Sequence, residues 1–297
     1  MRTISGPDQL RSIAAELRSG ASDGRSPDAI RDLFRSLCKA YQFPGITRSH
    51  QHVWYRARIC EDASGYSSIY QMLYPPEGSR SFGRASLPGT RVLYAGWNQQ
   101  VALEEVGASR GHVAQLISLR VQSPVQFRCA VIGEYQAIFN SGRSVVNSQN
   151  LEGSLSEELV ADIDGAMSKV FVDSVTAEIF RSNISCSNDY VTSAVIADSI
   201  VGHHAGLMYP SIRTSHAINL AVHADDFDRN FEVLESTVYE VLDYHGYGLF
   251  SLKPLKATCE ITSAGQFVWN SKRQMPSTLG SRRDKQVPSD FIGWRVR

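Results

Sequence analysis

The chain has 297 residues, 42% of them hydrophobic and 9% aromatic, enough apolar material for a buried core, which excludes a wholly disordered protein. Thirty Lys and Arg balance thirty Asp and Glu, so the summed charge gives no drive toward nucleic acid or acidic membranes. The opening Met1-Arg2-Thr3-Ile4-Ser5-Gly6-Pro7 lacks an apolar run of signal length, and no stretch is long enough to span a bilayer. Cys38, Cys60, Cys129, Cys186 and Cys259 are scattered without a Cys-x-x-Cys pair, as expected of thiols in a reducing compartment. A cytoplasmic protein is the expectation.

Pro7 fits a first helical position, Leu10, Ile13, Ala14 and Leu17 make one apolar face, and Gly20 stops the run. Ser26-Pro27 opens a second helix with Ile30, Leu33, Phe34 and Leu37 on one face, which Phe43-Pro44 ends. Two such stripes need a body to pack on. From Val53 the texture turns β-prone, at Val53–Arg58, Arg91–Ala95 and Val113–Val121, with a Pro- and Gly-rich loop from Tyr74 to Gly89. Asn98 can cap a short helix running through Val106. A polar stretch from Asn140 to Ser156 leads into a helix whose stripe is Leu155, Leu159, Ile163 and Met167. Another helix is expected from about Asp189 to Val201, then strands Leu207–Ser211 and Ile218–His223, then β-rich sequence from about Thr237 to Trp269. The elements mix without βαβ alternation, so an α+β fold is expected.

The common nucleotide and hydrolase signatures are absent: no phosphate-binding Gly-x-x-x-x-Gly-Lys-Ser/Thr, no Gly-x-Gly-x-x-Gly after a strand and no Gly-x-Ser-x-Gly elbow. The eight histidines include His50 with His52 and the adjacent His203 and His204, but none has a recognised ligand spacing. They read as surface or helix-capping residues, and no metal is expected. What stands out is polar residues inside segments that otherwise look like core. Arg56 lies in a strand beside Trp54 and Tyr55, and Arg84 follows Gly83 in a loop. Tyr94 sits in an apolar strand and Glu105 in the apolar helix Val101–Val106. Ser211 ends the Leu207–Pro210 strand and Asn219 opens the next. Each alone has an ordinary structural explanation.

Taken in order, Trp54-Tyr55-Arg56, Gly83-Arg84, Val92-Leu93-Tyr94-Ala95, Ala102-Leu103-Glu104-Glu105-Val106, Tyr190-Val191-Thr192, Tyr209-Pro210-Ser211 and Asn219-Leu220 resemble the RES-domain family. The Arg, Glu and Ser that name the family fall on Arg56, Glu105 and Ser211. Glu105 is preferred to Glu104 because it precedes the Val and stands eleven residues after Tyr94.

The resemblance implies an ADP-ribosyltransferase-like fold, a split β-sheet core with flanking helices. It also implies an enzyme that takes NAD as substrate, with no other cofactor, and breaks its nicotinamide–ribose bond. Arg56 and Arg84 suit a diphosphate, Tyr94 can stack on the nicotinamide, and Glu105 can face the oxocarbenium-like charge. Ser211, Gly83 and Asn219 would position substrate; Ser211 has no base beside it and is not read as a nucleophile. The usual setting is a toxin with a cognate antitoxin or immunity protein over the cleft. The alternatives are an ADP-ribosyltransferase with a macromolecular acceptor and a non-catalytic nucleotide-binding module. On this reading residues 1–50 are an N-terminal helical extension and 51–270 the RES domain, with a helical insertion at about 122–189. Residues 271–297 are a basic tail, and either terminal segment is a candidate for contacts in a homo-oligomer.

Overall fold

The computed structural model of the chain describes residues 7–20, 23–39, 41–182, 187–201, 204–214, 217–269 and 295. In chain order they form α1 (Pro7–Ser19), α2 (Pro27–Leu37), β1 (Gly45–Arg48), β2 (Val53–Cys60), β3 (Val92–Gly96), α3 (Gln99–Glu105), β4 (Val113–Val121), β5 (Phe127–Val131) and α4 (Glu134–Ser141). They continue with α5 (Gln149–Ala161), α6 (Ile163–Arg181), α7 (Val191–Val201), β6 (Gly206–Pro210), β7 (Ile218–His223), α8 (Ala224–Asn230), β8 (Phe231–Tyr244) and β9 (Phe250–Thr258). Parallel and antiparallel strand pairs occur together with helices out of βαβ order, so the fold is α+β. Two compact units are woven from alternating segments: Met1–Ile46, Pro76–Val92 and Arg128–Ile212 in the first, Thr47–Pro75, Leu93–Phe127 and Arg213–Arg297 in the second. The basic segment from 271 onward lies outside the described residues apart from Arg295.

In the first unit the two N-terminal helices find the body their stripes require. The Ser26 hydroxyl accepts from Ala29 N–H with Pro27 at the first helical position, and Leu10, Leu17, Ile30 and Phe34 are buried. α1 packs on α6 and α2 on α7, with Arg18 paired to Glu178 at 2.7 Å and Arg31 to Asp198 at 3.3 Å. α2 stops at Leu37 rather than running to Phe43, because Tyr41 turns inward and its hydroxyl reaches Asp173 on α6 at 3.2 Å. The parallel pair β5–β6 and helix α4 were not foreseen; β5 is only five residues long and follows directly on the turn at Ser123-Pro124.

The stripe Leu155–Leu159–Ile163–Met167 is corrected. The helix breaks at Asp162, which closes α5 with its N–H on Glu158 O and opens α6 by accepting from Gly165 N–H at 3.0 Å. The break rotates the phase. Leu155 is buried with Ile138, Ala166 and Val170, whereas Ile163 and Met167 are exposed. α5 begins at Gln149, inside the polar stretch from Asn140 to Ser156, with Ser148 as its cap.

The second unit is built on β2, β4, β8 and β9, antiparallel in that order, with β3 on the other side of β2 and β7 beyond it. Its core places α3 on the sheet: Ala102, Leu103 and Ala108 pack with Ala57, Ala114, Leu116, Tyr239, Val241 and Leu252. Arg120 and Glu232, register partners on β4 and β8, form a buried ion pair at 2.6 Å. No described helix is long and apolar enough to cross a membrane.

Candidate functional site

Helix α3 is seven residues long and both ends are chemically specified. The Asn98 side chain accepts from Val101 N–H at 2.9 Å. At the far end Gly107, at φ 65°, carries the chain out: its N–H bonds Glu104 O at 2.9 Å and Ala108 N–H bonds Leu103 O at 3.0 Å. These bonds place two consecutive glutamates in the last turn, against the negative end of the helix dipole, where a carboxylate is disfavoured by about 0.3–1 kcal/mol. Both carry hydrogen bonds that offset this. Glu105 Oε1 accepts from Asn219 Nδ2 at 2.7 Å. Glu104, 4% exposed, accepts from the Tyr244 hydroxyl at 2.5 Å and from the Thr214 hydroxyl. The Glu104 bond holds the Tyr244 phenol above its ordinary pKa.

Asn219 comes from β7, whose Ile218 carbonyl takes the Trp97 N–H at 3.0 Å just before α3. The residue is buried and its Oδ1 has no hydrogen-bond partner among the described residues, an open acceptor beside Glu105. Arg56, on β2, sends Nε to Met72 O at 2.6 Å and Nη1 to Tyr94 O at 2.8 Å. It ties the 72 loop and the Tyr94 backbone to one strand. Tyr94 itself is half-buried on β3.

A cavity of about 400 Å³ in the same unit is lined by Glu104, Gly107, Ala108, Ser109, Arg213 and Tyr244. Its size is in the range of small-molecule sites. His52 is part-buried and does not lie at the surface as read from sequence. It packs 3.9 Å from the Trp97 ring and 4.6 Å from Trp54, and burial with Arg48 close by pushes its pKa down to about 4. His203 and Cys186 lie outside the described residues, as His216 does. Among the described residues no group of three or more His, Cys, Asp or Glu is placed to hold a metal.

The other motif residues belong to the first unit. Gly83 and Ser86 bond each other's backbones at 2.9 and 3.3 Å, making a tight turn with Arg84 at its tip. Arg84 donates to the Phe180 carbonyl in the last turn of α6 and lies 5.0 Å from the Tyr190 ring centroid. Ser211 follows β6 directly and is 5% exposed.

Within its unit, then, the structure brings Glu105 to Asn219 and Arg56 to the backbone of Tyr94, and separately Arg84 to Tyr190. Tyr244 and Thr214 do not figure in the sequence reading, and Glu104 figures there only as the glutamate set aside in favour of Glu105. A detectable signal existed, since an acidic pair ending an apolar helix contradicts the dipole. Its partners lie 110 and 140 residues away and leave no local trace.

No curated protein matches the chain. The RES domain family model matches residues 53–242, and Arg56, Glu105 and Ser211 all fall inside that span. Since the match covers well over half of the chain, the protein belongs to the RES-domain family.

Proposed function

We propose that the chain is a cytoplasmic enzyme that consumes NAD by breaking the bond between nicotinamide and ribose, and that it arrests growth by depleting NAD. The observation that carries this reading is Glu105, a carboxylate held at 2.7 Å by the buried Asn219 amide within a match to the RES family. As the glycosidic bond breaks, its electron pair leaves with neutral nicotinamide and positive charge grows on the ribose. A carboxylate fixed by a hydrogen bond stabilises that charge without reorganising. The open Oδ1 of Asn219 suits a ribose hydroxyl, which agrees with a substrate-binding role for Asn219.

Arg56 reads as a brace, since two of its donors are already committed to Met72 and Tyr94 carbonyls. That supports Tyr94 as a fixed ring for the nicotinamide cation. By family correspondence Arg84, on the Gly83 turn, serves the diphosphate and Ser211 hydrogen-bonds ribose or nicotinamide. Water then bonds the ribose carbon and gives up a proton to solvent, or a phosphate oxygen bonds it instead. A neutralising partner that covers the substrate site completes the reading.

The test is expression in a bacterial host with cellular NAD followed over time. NAD and growth should fall with wild type and hold with Glu105→Ala. The product mass should correspond to ADP-ribose or its 1-phosphate. ADP-ribose found only on protein or nucleic acid would overturn this in favour of a transferase, and NAD unchanged by wild type would overturn it altogether.

A further inference from the structure

The first glutamate of the pair, Glu104, lies outside the family's named set, yet it is the more buried of the two and accepts hydrogen bonds from two distant segments. We infer that Glu104 is the positioning residue that fixes the last turn of α3 and so sets Glu105 against Asn219. This rests on the reading above, in which Glu105 faces the reacting ribose.

Three observations converge. First, the two hydroxyls that Glu104 accepts from belong to two separate segments far downstream. Thr214 lies just before β7, which supplies Asn219, and Tyr244 ends β8. One side chain thus ties the helix that carries Glu105 to the segment leading to its partner. Second, α3 has only seven residues, so its geometry rests on tertiary contacts: the core holds Ala102 and Leu103, and Glu104 adds a side-chain anchor in the last turn before the chain leaves at Gly107 with positive φ. Third, the neighbourhood is shaped around the tether. Gly248, at φ 74°, sets the turn between β8 and β9 beside the Glu104 carboxyl, with a Cβ there at an ordinary contact distance of 3.7 Å. Arg213 lies over Gly107 at the helix end, where a cation is favoured. The cavity opens on one side of this tether, so the helix end is not braced there by packing.

Consecutive helical residues point about 100° apart, so the two carboxylates have separate surroundings and separate work. Glu104 needs to accept and to be held; its charge is not required. A glutamine can keep both contacts, its carbonyl accepting from Tyr244 while its amide donates to Thr214 Oγ1. Glu105 has no such latitude.

The experiment compares Glu104→Gln, Glu104→Ala, the milder Tyr244→Phe with Thr214→Val, and Glu105→Gln in nicotinamide release from NAD. Glu104→Gln should stay within about 3-fold of wild-type kcat, whereas Glu104→Ala and the Tyr244/Thr214 pair should lose on the order of 10- to 100-fold with KM little changed. Glu105→Gln should lose activity whatever stands at 104. A Glu104→Gln loss as deep as that of Glu105→Gln would overturn the inference, because Glu104 would then act by its charge. Wild-type kcat in Glu104→Ala would overturn it too.

A second readout needs no turnover. The Asn219 side-chain amide protons in a nitrogen–proton NMR spectrum should move or broaden in Glu104→Ala and stay in place in Glu104→Gln. Unmoved protons in Glu104→Ala contradict the tether even if the proposed activity fails. Inactive wild type with moved protons would sink the activity and leave the tether standing.

Discussion

At the scale of single residues the account turns on a hydrogen bond between Glu105 and Asn219 at 2.7 Å. Replacing Asn219 by Asp puts two carboxylates in contact at a largely buried position, where both cannot stay ionised at modest cost. Asn219→Asp should therefore lower kcat on the order of 100-fold and shift the pH profile upward, because one of the pair must hold a proton. Asn219→Ala should lose activity without that shift. Steady-state rates between pH 5 and 9 separate the two. Glu105 and Asn219 were legible in sequence because each is a polar residue in an apolar element. Glu104 was not, since two adjacent glutamates look alike and only tertiary contacts show which one is buried.

At the scale of elements, legibility followed local chemistry. α3 was readable from Asn98 at its start, β4 from its alternation, and α1 and α2 from their stripes. β5, α4 and α8 are short, so although Gly133 and Gly142 punctuate α4 their existence depends on the tertiary context. The α5–α6 break shows the limit. Asp162 caps two helices at once, and a stripe counted across it goes out of phase. Ile163→Lys should therefore change stability by less than about 0.5 kcal/mol, since Ile163 is 62% exposed. Leu155→Ala, in the cluster with Ile138 and Val170, should cost about 2–4 kcal/mol. Urea unfolding of the two variants checks this, and a large loss in Ile163→Lys would restore the single-helix reading.

At the scale of the whole molecule, the two units carry buried titratable groups that respond to acid in opposite directions. In the first, Asp173 takes N–H bonds from Gly133 at 2.8 Å and Gln136 at 3.0 Å plus the Tyr41 hydroxyl, yet full burial raises its pKa from 3.8 to about 6. A raised folded pKa means that the folded state holds more protons between those values, so this contribution to stability declines as pH climbs through that window. His52 in the second unit is depressed from 6.5 to about 4, so the unfolded state holds more protons there and its contribution rises with pH. Relative to wild type, Asp173→Asn should make stability climb more steeply from pH 4 to pH 6.5. His52→Phe should make it climb less or fall. Chemical denaturation at intervals across that range reads both slopes, and parallel slopes in the two variants would contradict the assignment.

Whether the protein consumes NAD is tested by nicotinamide release from NAD by the purified chain beside Glu105→Gln. Wild type should turn over many times and the variant not above background at matched folding, judged by circular dichroism. Equal rates in both, or no release from wild type with phosphate present and absent, would contradict it.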